Sequence, residues 1–423
     1  MPEVKAGPVP RLRFPEFRDT GPWEVKSIAD LSERIAQGGT PATSVAEYWN
    51  GGIPWITPAE MGDDAATHYT SATVRTISAE GLRNSSAELL PVNSVIISSR
   101  APIGYVTINS VEMATNQGCK GIVPCADVHH EFLYFGLLNA KTRLNDIGAG
   151  AGFKEISTSS LAAFQIPVPS LPEQQQIADC LTSLDDLIRA EEGRLAALRA
   201  HKTGLMQRLF PAPGQTTPRL RFPEFQNAGP WEVKSIADLS ERIAQGGTPA
   251  TSVAEYWNGG IPWITPAEMG DDAATHYTSA TVRTISAEGL RNSSAELLPV
   301  NSVIISSRAP IGYVTINSVE MATNQGCKGI VPCADVHHEF LYFGLLNAKT
   351  RLNDIGAGAG FKEISTSSLA AFQIPVPSLP EQQQIADCLT SLDDLIRAQG
   401  ETIEALKTHK RGLMNRLFPR EVD

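Results

Sequence analysis

The stretch Gln165-Ile166-Pro167-Val168-Pro169-Ser170-Leu171-Pro172-Glu173-Gln174-Gln175 decides how this chain is read. Ser170-Leu171-Pro172-Glu173 has the form of a capping box with proline in the first turn, which predicts the start of a helix. Beyond it Ile177, Leu181, Leu184, Ile188, Leu195, Leu198, Leu205 and Leu209 advance by alternating steps of four and three, and Glu191 and Lys202 fill the two gaps. That is an a/d heptad seam. A helix from Pro172 to Phe210 is about 58 Å long at roughly 1.5 Å per residue. One such helix cannot bury its own seam, so a partner surface is required.

The chain supplies that partner by repetition. The block Gly21–Ala190 returns unchanged as Gly229–Ala398, and Pro10–Phe17 returns as Pro218–Phe225. After Ala190 the copies drift, and from Glu191 to Pro211, 10 of 21 positions differ from Gln399–Pro419. The second seam reads Ile385, Leu389, Leu392, Ile396, Gln399, Ile403, Leu406, Lys410, Leu413 and Leu417, so the drift spares its apolar character. Two copies of one large unit exclude a solenoid of small repeats. The connection after Phe210 is short and rich in Pro and Gly, which favours two helices packed antiparallel, with a globular domain at each end. In the alternative, each helix packs on its own domain or on another protein. Glu191 and Gln399 lie near mid-helix, where a polar meeting would fix register.

Ahead of each helix lies a mixed region. Ser94–Ser98, Tyr105–Ile108 and Gly121–Val123 read as strands. Ser78–Leu82 and His130–Leu138 read as helices. Gly38-Gly39-Thr40-Pro41, Asn50-Gly51-Gly52 and Gly148–Gly152 read as loops. The expected fold class is α+β: two globular domains joined by two long antiparallel coiled-coil helices, related by a pseudo-two-fold axis. The expected boundaries are 1–169 for the first domain, 170–211 for its helix and 212–218 for a linker. The second domain is 219–377, its helix 378–419 and the tail 420–423.

Composition removes several function classes. No apolar run is long enough to span a membrane, and Met1–Pro10 lacks the apolar core of a signal peptide, so a cytoplasmic location is expected. Six cysteines in 423 residues do not make a disulfide scaffold. His129-His130 are adjacent and therefore face apart, a poor metal pair. No P-loop, GxSxG, HExxH or Cys-His metal spacing occurs, nor the Asn-Pro-Pro-aromatic signature of adenine methyltransferases. Catalysis by this chain is not expected.

The layout of domain, helix, domain, helix resembles the specificity (S) subunit of type I restriction-modification systems, HsdS. Leu12-Arg13-Phe14-Pro15-Glu16-Phe17 with Trp23 resembles the family's lead-in. Gly38-Gly39-Thr40-Pro41, Ile53-Pro54-Trp55-Ile56, Ile97–Gly104 and Thr115-Asn116-Gln117-Gly118-Cys119 resemble its target-domain motifs, and Gln165–Gln175 its junction into the helix. One departure is that the two target recognition domains are identical here. The resemblance implies a non-catalytic DNA-recognition subunit that reads one half of a bipartite site with each domain. Its helices set the gap and dock two methyltransferase (M) subunits. S-adenosylmethionine belongs to those partners, ATP to restriction (R) subunits, and no cofactor or metal to this chain. The rival reading is a protein-interaction scaffold with duplicated domains and no DNA.

Double-stranded DNA is read by side chains that match base edges, with cations on phosphate. Arg100 suits guanine or phosphate, Asn116 and Gln117 adenine, and Lys120 and Lys154 phosphate. Thr40, Thr57, Ser98 and Ser99 are hydroxyl donors, and Trp55 a stacking ring. The second copy gives Arg308, Asn324, Gln325, Lys328, Lys362, Thr248, Thr265, Ser306, Ser307 and Trp263. The net charge of −11 opposes nucleic acid at first sight. It is unevenly placed, however. From Gly21 to Thr70 seven acids face two bases, whereas from Ser71 to Ser170 seven bases balance seven acids. The expectation is therefore a DNA reader that binds weakly alone and relies on partner subunits for cations.

Overall fold

The computed structural model describes residues 7–62, 68–148, 154–270, 276–356 and 363–419. They fall into two compact units, one from Met1–Glu192 with Thr402–Asp423 and the other Gly193–Glu401. Both long helices, Leu171–Leu209 and Leu379–Leu417, run 39 residues. The unit boundary falls inside them, so each helix starts in one unit and ends in the other. The helices are thus parts of the domains and not separate modules.

In the first unit the strands are β1 (Glu24–Ser27), β2 (Ser32–Gln37), β3 (Trp49–Ile56), β4 (Tyr69–Thr70), β5 (Thr76–Ile77), β6 (Val95–Ser98), β7 (Val106–Asn109), β8 (Ala114–Thr115), β9 (Cys119–Pro124) and β10 (Gln165–Val168). The short helices are α1 (Ala79–Arg83), α2 (His130–Asn139), α3 (Lys141–Asp146) and α4 (Thr158–Ala162). The main sheet has the order β2-β9-β6-β7-β4, a smaller one β5-β3-β8, and β1 pairs β10 alone. The second unit repeats these sheets strand for strand.

The main sheet is buried on both faces, which is why β6 is an unbroken apolar run rather than an alternating one. Val95 and Ile97 enter the core with Phe132, Leu133 and Phe135 of α2. Ile96 enters a second cluster with Ile56, Leu90 and Met113. The strands and helices expected at Ser94–Ser98, Tyr105–Ile108, Gly121–Val123, Ser78–Leu82 and His130–Leu138 are present within a few residues. Asn50-Gly51-Gly52 is a correction. It is a bulge inside β3 rather than a loop, with register shifting between Trp49 and Ile53 and positive φ at Asn50 (59°) and Gly52 (89°). Gly51 lies against the backbone of Ser78 and leaves no room for a Cβ.

The long helices complete the core. Ile177 and Leu181 from the first join Met414, Leu417 and Phe418 from the second beneath α2. In the second unit Leu209 and Phe210 take the place of Leu417 and Phe418, beside Ile385 and Leu389. Within the first unit the helix segments are antiparallel, because Asp185 meets Lys410 while the later Glu192 meets the earlier Lys407. The seam positions named from the sequence are buried or half-buried along both helices. Glu173 departs from the capping-box expectation. Both its carboxylate oxygens accept from Arg13, at 2.7 Å each, and the Trp23 indole N–H donates to it at 3.3 Å. The lead-in motif is thereby pinned to the first turn of the helix.

A buried charge sits on this seam. Asp185 is fully buried, and Lys410 Nζ donates to its Oδ1 at 2.5 Å. His68, also fully buried, lies between the rings of Tyr69 and Tyr134 with Nδ1 3.6 Å from Asp185 Oδ2. The second unit builds the same group from Asp393, Lys202 and His276. Burial raises the Asp185 carboxyl above the usual range, against the pull of Lys410. Burial first, then the cationic Lys410, holds the His68 imidazole down to about 3.

Two outcomes follow. Asp185→Leu strands the Lys410 ammonium in the seam and should destabilise the first unit by about 3–5 kcal/mol, whereas Asp185→Leu with Lys410→Leu should recover most of the loss. Denaturant unfolding of the three chains checks this. Second, His68 stays neutral in the folded unit while its unfolded form takes up a proton below pH ~6.5. The unfolded state then binds more protons, so stability falls as pH drops from 6.5 toward 4, by up to about 1.4 kcal/mol per pH unit for each such histidine. The chain with His68→Asn and His276→Asn should show a flatter profile of unfolding midpoint against pH.

Candidate nucleic-acid interface

The loops that carry most of the sequence candidates are bonded to one another. Gly39 N donates to Thr115 O at 2.9 Å, and Asn116 N to Ile56 O at 3.0 Å. Gly38 lies on the Asn116 carbonyl, where any Cβ would collide, so Gly38-Gly39 is needed for two loops to approach. Across the top of that contact the Thr40 hydroxyl bonds the Gln117 side-chain carbonyl. Asn116 Oδ1 accepts from Gly118 N at 2.9 Å, which closes a tight Asx turn. The Gly118 carbonyl in turn accepts from Ser99 N at 2.8 Å and Arg100 N at 3.3 Å, and Ile156 N donates to Ser99 O at 2.9 Å. Thr57 and Glu60 form a capping box around Pro58, whose ring lies against Gly118. Loops starting near residues 38, 57, 99, 115 and 154 thus form one continuous surface on a rigid sheet.

On this surface Thr40, Gln117, Arg100 and Lys154 are exposed, and Asn116 and Thr57 are half-buried. Arg100 Nε donates to Glu155 Oε2 at 3.0 Å, while about half of its side chain remains open to solvent. The second unit presents Thr248, Gln325 and Arg308 exposed, with Asn324 and Thr265 half-buried. Lys362 lies outside the described residues.

Several candidates are corrected. Ser98 and Ser99, like Ser306 and Ser307, are fully buried. Ser98 Oγ donates to Pro102 O at 2.6 Å and accepts from Tyr105 N at 2.8 Å, so it closes the turn that carries Arg100. Lys120 and Lys328 are buried in a central strand, and burial depresses the Lys120 ammonium, with Glu155 opposing. Trp55 and Trp263 are core residues. The Trp55 indole N–H donates to Gly39 O at 2.9 Å, and its ring packs edge-on against Trp49. These side chains support the surface and do not form it.

Sequence reading missed Glu155, whose carboxylate orients Arg100, and Arg75, whose guanidinium lies 3.5 Å over the Trp49 ring. Nothing local signals the first, since its partner Arg100 lies 55 residues away, nor the second. All six cysteines are free thiols. Among the described residues no cluster of His, Cys, Asp and Glu is placed to hold a metal, and no helix is long and apolar enough to cross a membrane.

The pattern that defines the type I restriction modification DNA specificity domain matches residues 20–200 and again 229–408. The specificity subunit of the type I restriction enzyme MjaIX from Methanocaldococcus jannaschii is 41% identical over 182 residues, which are 42% of this chain and 41% of that protein's length. The MjaVIII specificity subunit of the same organism is 24% identical over 435 residues, 96% of this chain and 93% of the relative. The solved S subunit of a type I restriction-modification system from M. genitalium shares the fold, with a TM-score of 0.58 and 13% identity over 98% of this chain and 100% of that one.

Proposed function

We propose a function from one premise: this chain belongs to the family of type I restriction-modification DNA specificity domains and carries two of them. It is a DNA-recognition subunit without a catalytic centre of its own. Each unit reads one half of a bipartite duplex site through the joined loops around Thr40, Arg100 and Gln117. The observation that carries this reading is the joined loop surface itself. Its exposed amide, hydroxyl and guanidinium groups match base edges and phosphates, and backbone bonds to a buried sheet hold it.

The long helices fix the separation of the two half-sites, and their exposed off-seam faces, with Gln175 at the junction, offer a docking surface for two methyltransferase subunits; Glu173 and Gln174 of that junction are buried and bonded within the unit. Those partners bring S-adenosylmethionine, and restriction subunits bring ATP-driven cleavage. The complex works in the cytoplasm. The acidic Gly21–Thr70 section, present twice, weakens DNA binding by the lone chain and leaves part of the phosphate neutralisation to partners.

Two identical readers read one word twice. Helix segments that run antiparallel invert one word relative to the other, so the site is an interrupted palindrome. Its half-site centres lie about one helical turn, roughly 34–36 Å, apart. Mapping of methylated adenines in cells that carry this chain with its methyltransferase partner should return one short word and its inverse. Two unrelated half-sites would refute the reading. Replacing Arg100 and Arg308 together with alanine should weaken binding of the complex and lower the slope of log affinity against log salt by about 2 if both grip phosphate. If they read guanine instead, the slope holds and the preference at one base pair relaxes. Unchanged affinity and unchanged preference remove Arg100 from the interface.

A further inference from the structure

The loop between β4 and β5 carries Val74, which is 88% exposed, the highest value among the exposed large apolar side chains of the first unit's described residues. Exposure of a lone valine is ordinary. This one sits on a loop fixed by several side-chain bonds. Val74 N donates to Glu60 Oε1 at 2.7 Å. The other oxygen of that carboxylate accepts from Thr57 N at 3.0 Å and Thr57 Oγ1 at 2.9 Å. Thr73 Oγ1 bonds Arg75 O at 2.7 Å and receives Trp55 N at 2.9 Å. Arg75 itself sits with its guanidinium carbon 3.5 Å from the centre of the Trp49 ring. A single carboxylate therefore ties the Val74 loop to the Thr57-Pro58 loop, which abuts Gly118, which holds Arg100. An exposed apolar tip beside an exposed cation is thus bonded, through Glu60 and Thr57, to the joined loop surface that carries Arg100.

We propose that Val74 and Arg75, with Val282 and Arg283 in the second unit, form a further DNA-reading point. The valine methyls pack on the C5-methyl of a thymine in the major groove, and the arginine, steadied on its tryptophan, takes the neighbouring phosphate. A protein partner is the weaker match, because protein interfaces need a patch of apolar side chains and Val74 is the one large apolar residue of its loop, 71–75. The inference rests on the DNA-reading function proposed above and adds which base it reads and with what.

The test uses the full chain in complex with its methyltransferase subunits and duplexes bearing the mapped site, in which each thymine is replaced in turn by deoxyuridine. Deoxyuridine keeps the base pair and lacks only the methyl. The unaltered complex should lose about four-fold in affinity at one thymine of each half-site, the worth of one methyl contact. The complex with Val74→Ala and Val282→Ala should bind the thymine duplex about four-fold more weakly per half-site and be insensitive to uracil there. Its unfolding midpoint should be unchanged, since the side chain supports no core. If no thymine methyl matters, or if the valine variant keeps full uracil sensitivity, the inference is overturned while the DNA-reading function stands. The same holds if the variant only loses its hold on the methyltransferase subunits. If the unaltered complex shows no sequence preference at all, both fall together.

Discussion

A carboxylate that has left water constrains everything around it. Asp185 has no solvent exposure, and its charge is tolerable only because Lys410 reaches it from the other long helix at 2.5 Å. An apolar seam of Ile and Leu can slip by a heptad at modest cost. A buried ion pair cannot slip, because either charge alone would be stranded. The pair therefore selects one helix register, and His68, neutral and wedged between aromatic rings, places the globular part on that register. The same group recurs around Asp393, so the helices are registered independently in each unit.

Rigidity passes outward from this anchor. The helices finish a core in which α2 lies on the main sheet, and the sheet's central strands hold the loops by backbone bonds. Side chains that looked functional from their chemistry turn out to serve that rigidity. Ser98 shapes the Arg100 turn, Trp55 props up Gly39, and Lys120 adds positive charge beneath Glu155. What remains at the surface is polar and mounted on loops held by backbone bonds. A reader of base edges requires this, since an error of an ångström in a loop costs it specificity.

The helices were legible because a heptad seam depends only on spacing, and the repeat because it is literal. The apolar strands were legible for a related reason, as a strand buried on both faces needs an unbroken apolar run. Asn50-Gly51-Gly52 misled because glycine marks bulges as readily as loops, and the sheet partner that decides between them, β5, is distant in sequence. Lys120 misled because lysine is rarely buried, and only the sheet order shows its strand to be interior. Asp185 was invisible as a lock. It neighbours the seam position Leu184 by one residue, and its partner Lys410 lies 225 residues away. The exposed candidates were named by chemical type, whereas their grouping on one surface came from bonds that cross the fold.

Two sequences of 170 identical residues on one chain have a consequence for how that chain folds. Every strand has a double with the same side chains, so a strand of one copy fits the sheet of the other without any mismatch. Neighbouring repeats are prone to such exchange. The copies differ chiefly in the second halves of the long helices, from Glu191 and Gln399 onward, and the lead-in motif is tied to its own helix by Arg13 and Glu173 in one copy and Arg221 and Glu381 in the other. Sorting of the copies is therefore left to the diverged helix halves, where Glu192 meets Lys407, and to order of appearance during synthesis. The first sheet is complete before the second has left the ribosome, and it then waits for a helix that is made last.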